Sequence, residues 1–67
     1  MKTNQAKSKV VADLVRKGYS AVRVLAAERY SKSPESVISL TVKVAEHAMP
    51  TTISVYPDGS WRTTSFA

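Results

Sequence analysis

Cysteine is absent from this chain of 67 residues, and histidine occurs once. The absence of cysteine excludes disulfide bonds and thiolate metal sites. The single imidazole, His47, cannot build a metal site alone, so we expect neither a metal nor another cofactor. A domain of this length often needs a disulfide, a metal or a partner subunit to be stable. Because the first two are excluded, the sequence favours a partner subunit, in the simplest case a homodimer.

Long apolar runs and glycine-rich segments are also missing. No apolar run approaches the ~20 residues that span a membrane, and the polar N-terminal segment has no apolar stretch typical of a signal peptide. We therefore expect a cytoplasmic protein that does not contact membranes. The chain has only two glycines, both at predicted turns. This excludes a glycine-rich phosphate-binding loop.

Groups that could carry catalysis are few and scattered, since the chain has five acidic residues against ten basic ones. A Ser-His-Asp site needs three groups on a rigid frame together with an oxyanion hole. One histidine among several serines is no evidence for such a site, and we expect His47 to be an exposed loop residue. The sequence therefore predicts a protein that is not an enzyme and has no catalytic residues.

The apolar content of 43% is enough for the core of one small basic domain covering residues 1–67. Val10, Leu14 and their neighbours form an apolar stripe that predicts a helix over residues 4–17, ended by Gly18 in a left-handed conformation. Residues 21–31 are apolar on nearly every side, which predicts a second, buried helix with Ser20 as its N-cap. The apolar surface of this helix is a further reason to expect a homodimer.

Residues 37–45 alternate between apolar and polar side chains and are rich in β-branched residues, which predicts a strand. Residues 51–66 read as a hairpin around a Pro-Asp-Gly turn. With Gly59 as the bulged residue, Val55 pairs with Trp61 and Ser54 pairs with Arg62, which predicts a largely buried Trp61. The predicted fold is α+β, with two N-terminal helices packed on a three-stranded antiparallel meander.

A winged helix-turn-helix is the alternative fold. Residues 10–44 can be laid on that motif, because Ala27, Val37 and Leu40 fall where it places one small and two apolar residues. The hairpin at residues 51–66 would then be the wing. This alternative requires residues 34–46 to be helical, against their alternating pattern.

The formal charge of +5 attracts phosphate and makes nucleic acid, DNA or RNA, the expected partner. Lys9 and Arg16 lie two turns apart on the solvent side of the first helix. Lys43 and Arg62 point from the open face of the predicted sheet, and Tyr56 offers a stacking ring there. These five residues are the predicted nucleic-acid-binding residues of a regulator.

A protein-binding function is the alternative. A three-stranded meander has two edges with unpaired backbone groups, and an apolar second helix would present more surface than one sheet can cover. Both features would suit a small inhibitor or adaptor, of the type found in phages and mobile elements, that binds an acidic surface on a host protein. Salt dependence separates the two functions, since binding to nucleic acid weakens steeply with salt.

Overall fold

The computed structural model describes residues 2–33 and 35–63, and within them the architecture is α+β. A single helix lies against the first two strands of a four-stranded antiparallel sheet, whose order follows the chain. The elements are α1 (Thr3–Arg16), β1 (Arg23–Arg29), β2 (Ile38–Lys43), β3 (Thr51–Val55) and β4 (Trp61–Arg62). The helix covers one face of the sheet, and no other described element covers the opposite face.

The core forms where the apolar stripe of α1 meets the inward side chains of the central strands. Residues four apart on a helix share one face, and the three that α1 buries follow this spacing. Every second residue of β2 and β3 is buried against them, which confirms the helix predicted over residues 4–17 and the strand predicted over residues 37–45, observed at Ile38–Lys43. The buried apolar residues are Ala6, Val10, Leu14, Ile38, Leu40, Val42, Val44, Ile53 and Val55.

The second predicted helix, at residues 21–31, is wrong, because this segment forms the edge strand β1. A β-bulge shifts the register between Val24 and Ala26, so that Val24 pairs with Val42 and Ala27 pairs with Leu40. The bulge places two exposed residues in succession, Leu25 and Ala26, between partly buried neighbours. The bulge breaks the alternation of buried and exposed residues along the strand. In the sequence the segment therefore looks apolar on every side and resembles a buried helix.

The start of β1 is held by contacts that exclude a helix N-cap at Ser20. The backbone N–H and the hydroxyl of Ser20 both donate to the carboxylate of Glu46, at 2.9 and 2.6 Å. The N–H of Ala45 donates to the carbonyl of Ser20 at 2.9 Å. These bonds join the connection before β1 to the loop after β2. The hydroxyl, N–H and carbonyl of Ser20 therefore all bond to the loop after β2, and Ser20 does not cap a helix.

The winged helix-turn-helix alternative is also wrong. It needs helices over residues 21–31 and 34–46, whereas these stretches contain β1 and β2. The two strands pair with each other over most of their length. The β-branched residues of β2 account for this outcome, because they lose side-chain freedom in a helix and pack well on a pleated surface.

The hairpin register is confirmed. Val55 pairs with Trp61 and Ser54 with Arg62, and Gly59 has the positive φ of 92° that the turn requires. The N–H of Tyr56 donates to the carbonyl of Ser60 at 2.8 Å, which closes the turn. Trp61 lies on the core side as predicted and packs against the margin of the core, where a minor part of its surface stays accessible.

Replacing Ala21 with glycine is expected to raise the free energy of unfolding by about 0.5–1 kcal/mol. Ala21 has a φ of 51°, in the left-handed region that costs about 1–2 kcal/mol for a residue with a Cβ. The matched control is Ala12→Gly in the exposed interior of α1, which should lower stability by about 0.5–1 kcal/mol. Urea denaturation followed by circular dichroism measures both, and equal losses in the two variants would contradict a strained Ala21.

Candidate nucleic-acid interface

Most of the net charge of the chain lies on its helix. Residues 2–17 contain five of the ten basic residues and one of the five acidic residues, and so carry four of the five net positive charges. Lys2, Lys9 and Arg16 are seven residues apart, and seven residues return a helix almost to the same side after two turns. All three are exposed and form one line along the helix, here called the basic flank.

Asp13 joins the basic flank to the hairpin. Its carboxylate accepts a hydrogen bond from Trp61 Nε1 at 2.8 Å. It also lies 3.3 Å from Lys9 Nζ and 3.3 Å from Arg16 Nη2. The hydrogen bond from Trp61 and the two cations lower the pKa of Asp13 below its ordinary value. The carboxylate therefore stays charged at neutral pH and holds one indole and two basic side chains together.

A groove opens between α1 and the hairpin, beside this cluster. Lys17 closes one side of it, with its Nζ 5.2 Å from the centre of the Trp61 ring. The volume is about 640 Å³, and we call it the helix–hairpin groove. Three cations face one carboxylate there, which makes it suitable for an anion. Its lining residues are Lys9, Asp13, Arg16, Lys17, Gly59, Ser60 and Trp61.

A second groove, of about 500 Å³, lies on the other side of the hairpin and contains Tyr56 and Arg62. Both side chains belong to the uncovered face of the sheet, because Val55 and Trp61 beside them belong to the core face. Asp58 also lines this groove, and hydrogen bonds from the Ser60 hydroxyl and N–H lower its pKa. The second groove thus offers one ring and one cation beside a carboxylate that is charged at neutral pH.

Lys43 is separated from the other predicted residues of the open face. Arg62 pairs with Ser54, and Ser54 pairs with Ser39, so these three residues form one row across the sheet. Lys43 lies four residues further along β2 than Ser39 and pairs with Arg23. Four residues of strand span about 13 Å. The Lys43 ammonium donates to the carbonyl of Val44 at 2.5 Å and to the carbonyl of His47. Lys43 therefore holds the loop after β2 and does not share a groove with Tyr56.

The structure thus brings Lys9 and Arg16 together and places Tyr56 with Arg62 in a separate groove. Sequence reasoning did not assign Asp13, Lys17 or Trp61 to the site. The spacing of Asp13 from Lys9 and Arg16 already allows ion pairs on a helix. Nothing in the sequence indicates that the hairpin folds back to bring Trp61 onto Asp13.

His47, the only imidazole, is half-buried in the loop after β2 and so is less exposed than expected. Its ring centre lies 5.8 Å from that of Tyr19, at the end of the sheet where Lys43 lies. Among residues 2–33 and 35–63, no three His, Cys, Asp or Glu side chains come together as a potential metal site.

Comparison of the chain with protein-family models, curated proteins and solved structures gives no match. In the described part of the chain, α1 is neither long nor apolar enough to span a membrane.

The variant Asp13→Asn is expected to lose stability at neutral pH and to approach wild type as the pH falls. A carboxylate whose pKa is lowered by folding stabilises the protein above its unfolded value near 3.8, and this contribution disappears as the pH falls through the folded value. The difference between the variants should therefore shrink from about pH 5 downward. Urea denaturation at a series of pH values measures it.

The control for this prediction is Glu28→Gln, which removes the same charge from β1, at the opposite edge of the sheet from Trp61. A stability difference between Asp13→Asn and wild type that stays constant from pH 7 to pH 3 would show that the charge of Asp13 does not matter. Asparagine can still accept a hydrogen bond from the indole, so the comparison isolates the charge.

Proposed function

We propose that this protein binds nucleic acid without catalysing a reaction, and that the basic flank and the helix–hairpin groove hold the phosphates. The observation that carries the proposal is the uneven distribution of charge. The helix and its caps carry four of the five net positive charges, and the remaining 51 residues carry one. A surface with charge of one sign raises the local concentration of a charged ligand and speeds its association.

The position of the cations supports the same conclusion. Lys2, Lys9 and Arg16 follow one side of α1 at intervals of seven residues, about 10.5 Å at the rise of a helix. Lys9 and Arg16 line the groove between the helix and the hairpin, away from the buried stripe of Ala6, Val10 and Leu14. A backbone of regularly spaced phosphates can contact several of them at once. The proposal thus keeps Lys9 and Arg16 and moves the centre of the site from the open sheet face to the helix.

The double variant Lys9→Gln with Arg16→Gln is expected to weaken binding and to flatten its dependence on salt. Each phosphate contact contributes about 0.9 to the slope of log K against log salt for duplex DNA and about 0.7 for single strands. Loss of two contacts should therefore reduce the slope by about 1.4 for single strands and about 1.8 for duplex DNA. Fluorescence anisotropy of labelled oligonucleotides at several salt concentrations measures both quantities.

Two controls accompany this titration. Arg23→Gln with Lys32→Gln removes the same charge from exposed positions outside the helix and should leave the slope unchanged. Tyr56→Ala with Arg62→Gln tests the second groove. If only that variant loses binding, the interface lies on the open sheet face and the helix assignment is wrong. If wild type binds no oligonucleotide at low salt, nucleic acid is not the ligand.

A small inhibitor or adaptor that binds an acidic protein surface is the second candidate. It is supported by Leu25 in the edge strand β1 and by Tyr30 directly after that strand, which are 51% and 66% exposed. The homodimer remains a prediction, but it loses the argument from an apolar second helix, since Val22, Val24 and Ala27 pack against the core of the same chain. Absence of oligonucleotide binding, together with an intact fold, would favour this candidate.

A further inference from the structure

We propose that the nucleic acid is single-stranded and that the helix–hairpin groove receives one unpaired base on the ring of Trp61. In this proposal Lys17, which lies against the ring in the free protein, moves aside and contacts the adjoining phosphate. The proposal rests on the proposed function and adds the class of ligand and the residue that recognises it. It is carried by the contacts of Trp61, the charges around it and the size of the groove.

The Trp61 ring is held in a fixed orientation and is still accessible. Its Nε1 donates to Asp13 at 2.8 Å, so one edge of the indole is tied to the helix. The side chain is only half-buried and lines the helix–hairpin groove. A ring that is oriented in advance loses little freedom when a base stacks on it, which favours binding.

Lys17 occupies the position that a stacked base would take. Its Nζ lies 5.2 Å from the ring centre, and the residue is exposed at the C-cap of α1. An exposed contact between an ammonium and an aromatic ring is weaker than the stacking of a base on that ring. A base can therefore displace Lys17, and the flexible lysine side chain stays close enough to pair with the phosphate that accompanies the base.

The groove suits a nucleotide unit in size and charge. Its volume of about 640 Å³ falls within the range of pockets that hold small ligands. Lys9 and Arg16 pair with Asp13, which also accepts the hydrogen bond from Trp61. Cations for the phosphates and a ring for the base therefore lie in one place. In a duplex both faces of a base are stacked on its neighbours, and only an unpaired or extruded base can reach the ring. The geometry therefore selects single strands.

Trp61 is the only tryptophan of the chain and reports directly on its own site. The experiment titrates wild-type protein with a 12-mer of deoxythymidine and with a 12-base-pair duplex. Tryptophan emission and the anisotropy of a labelled oligonucleotide are recorded in parallel. We expect the single strand to quench Trp61 emission with the same midpoint as the anisotropy change. We expect the duplex to bind through phosphate contacts without comparable quenching.

Two variants test the assigned roles. Trp61→Leu should weaken binding of the single strand about 5- to 150-fold and weaken duplex binding much less, provided that circular dichroism shows it folded. Lys17→Gln should reduce the salt slope for the single strand by about 0.7, and the control Lys32→Gln should not. An unchanged slope in Lys17→Gln would overturn the role given to Lys17.

The outcomes separate this inference from the proposed function. If both oligonucleotides bind by anisotropy and neither quenches Trp61, or both quench it equally, stacking of an unpaired base is wrong and nucleic-acid binding by the helix stands. If neither oligonucleotide binds at low salt, both proposals fall. The wild-type titration decides these points even if Trp61→Leu does not fold.

Discussion

Leu14→Ala is expected to lower the free energy of unfolding by about 3–5 kcal/mol, which is most or all of the stability of a domain this small. Leu14 is fully buried in the last turn of α1, where it meets the apolar faces of the sheet. A single helix covers the sheet in the described structure, so no second layer can collapse into the space that the missing atoms leave. Loss of the helix contact would expose the whole core face.

The control for Leu14 is its neighbour. Val15→Ala changes a side chain that is 57% exposed on the same helix and should alter stability by less than about 0.5 kcal/mol. Urea denaturation followed by circular dichroism and by Trp61 emission measures both variants. Similar midpoints for the two variants would mean that α1 is not anchored through Leu14.

Trp61→Ala is expected to cost about 3 kcal/mol, near the lower end for removal of a large aromatic side chain because the ring is only partly buried. Within the residues that the structure describes, up to residue 63, strand β4 has two paired residues, and the contacts of Trp61 with the core and with Asp13 add to its attachment. Loss of the ring should loosen the hairpin from the helix and open the groove between them.

Trp61→Phe divides this effect into its parts. Phenylalanine keeps an aromatic ring at the margin of the core but cannot donate to Asp13, and a hydrogen bond to a charged group contributes about 1.5–3 kcal/mol. We expect a loss close to the lower of these values, because the carboxylate keeps Lys9 and Arg16 as partners. Equal losses in Trp61→Ala and Trp61→Phe would show that packing of the ring contributes nothing.

The parts of the fold that the sequence predicted depend on local rules. The stripe of Val10 and Leu14 produces the helix, and Gly59 determines which residues of the hairpin face one another. The strand at Ile38–Lys43 follows from alternation alone. In each of these cases a few neighbouring residues contain the whole signal, and the tertiary structure agrees with it.

The parts that were missed depend on contacts between distant segments. The bulge after Val24 breaks the alternating pattern by which strand β1 could have been predicted. The segment before β1 is held by a hydrogen bond from Ser20 to Glu46, which lies 26 residues further along the chain. The cluster at Asp13 likewise requires Trp61 from a hairpin 48 residues further along the chain. Helix periodicity could place Lys9 and Arg16 near one another, but it could not show that the indole of Trp61 in the hairpin reaches Asp13.

The bulge in β1 also affects how the chain behaves among copies of itself. An edge strand with a regular row of free backbone groups is a template on which further strands can add, and this is a route to fibrils. The irregular register between Val24 and Ala26 interrupts that row in the middle of β1, and Arg23 and Glu28 place charges toward its ends. A bulge and charged side chains both disfavour the addition of a further strand, so the feature that breaks the sequence pattern of β1 also makes this edge a poor template for polymerisation.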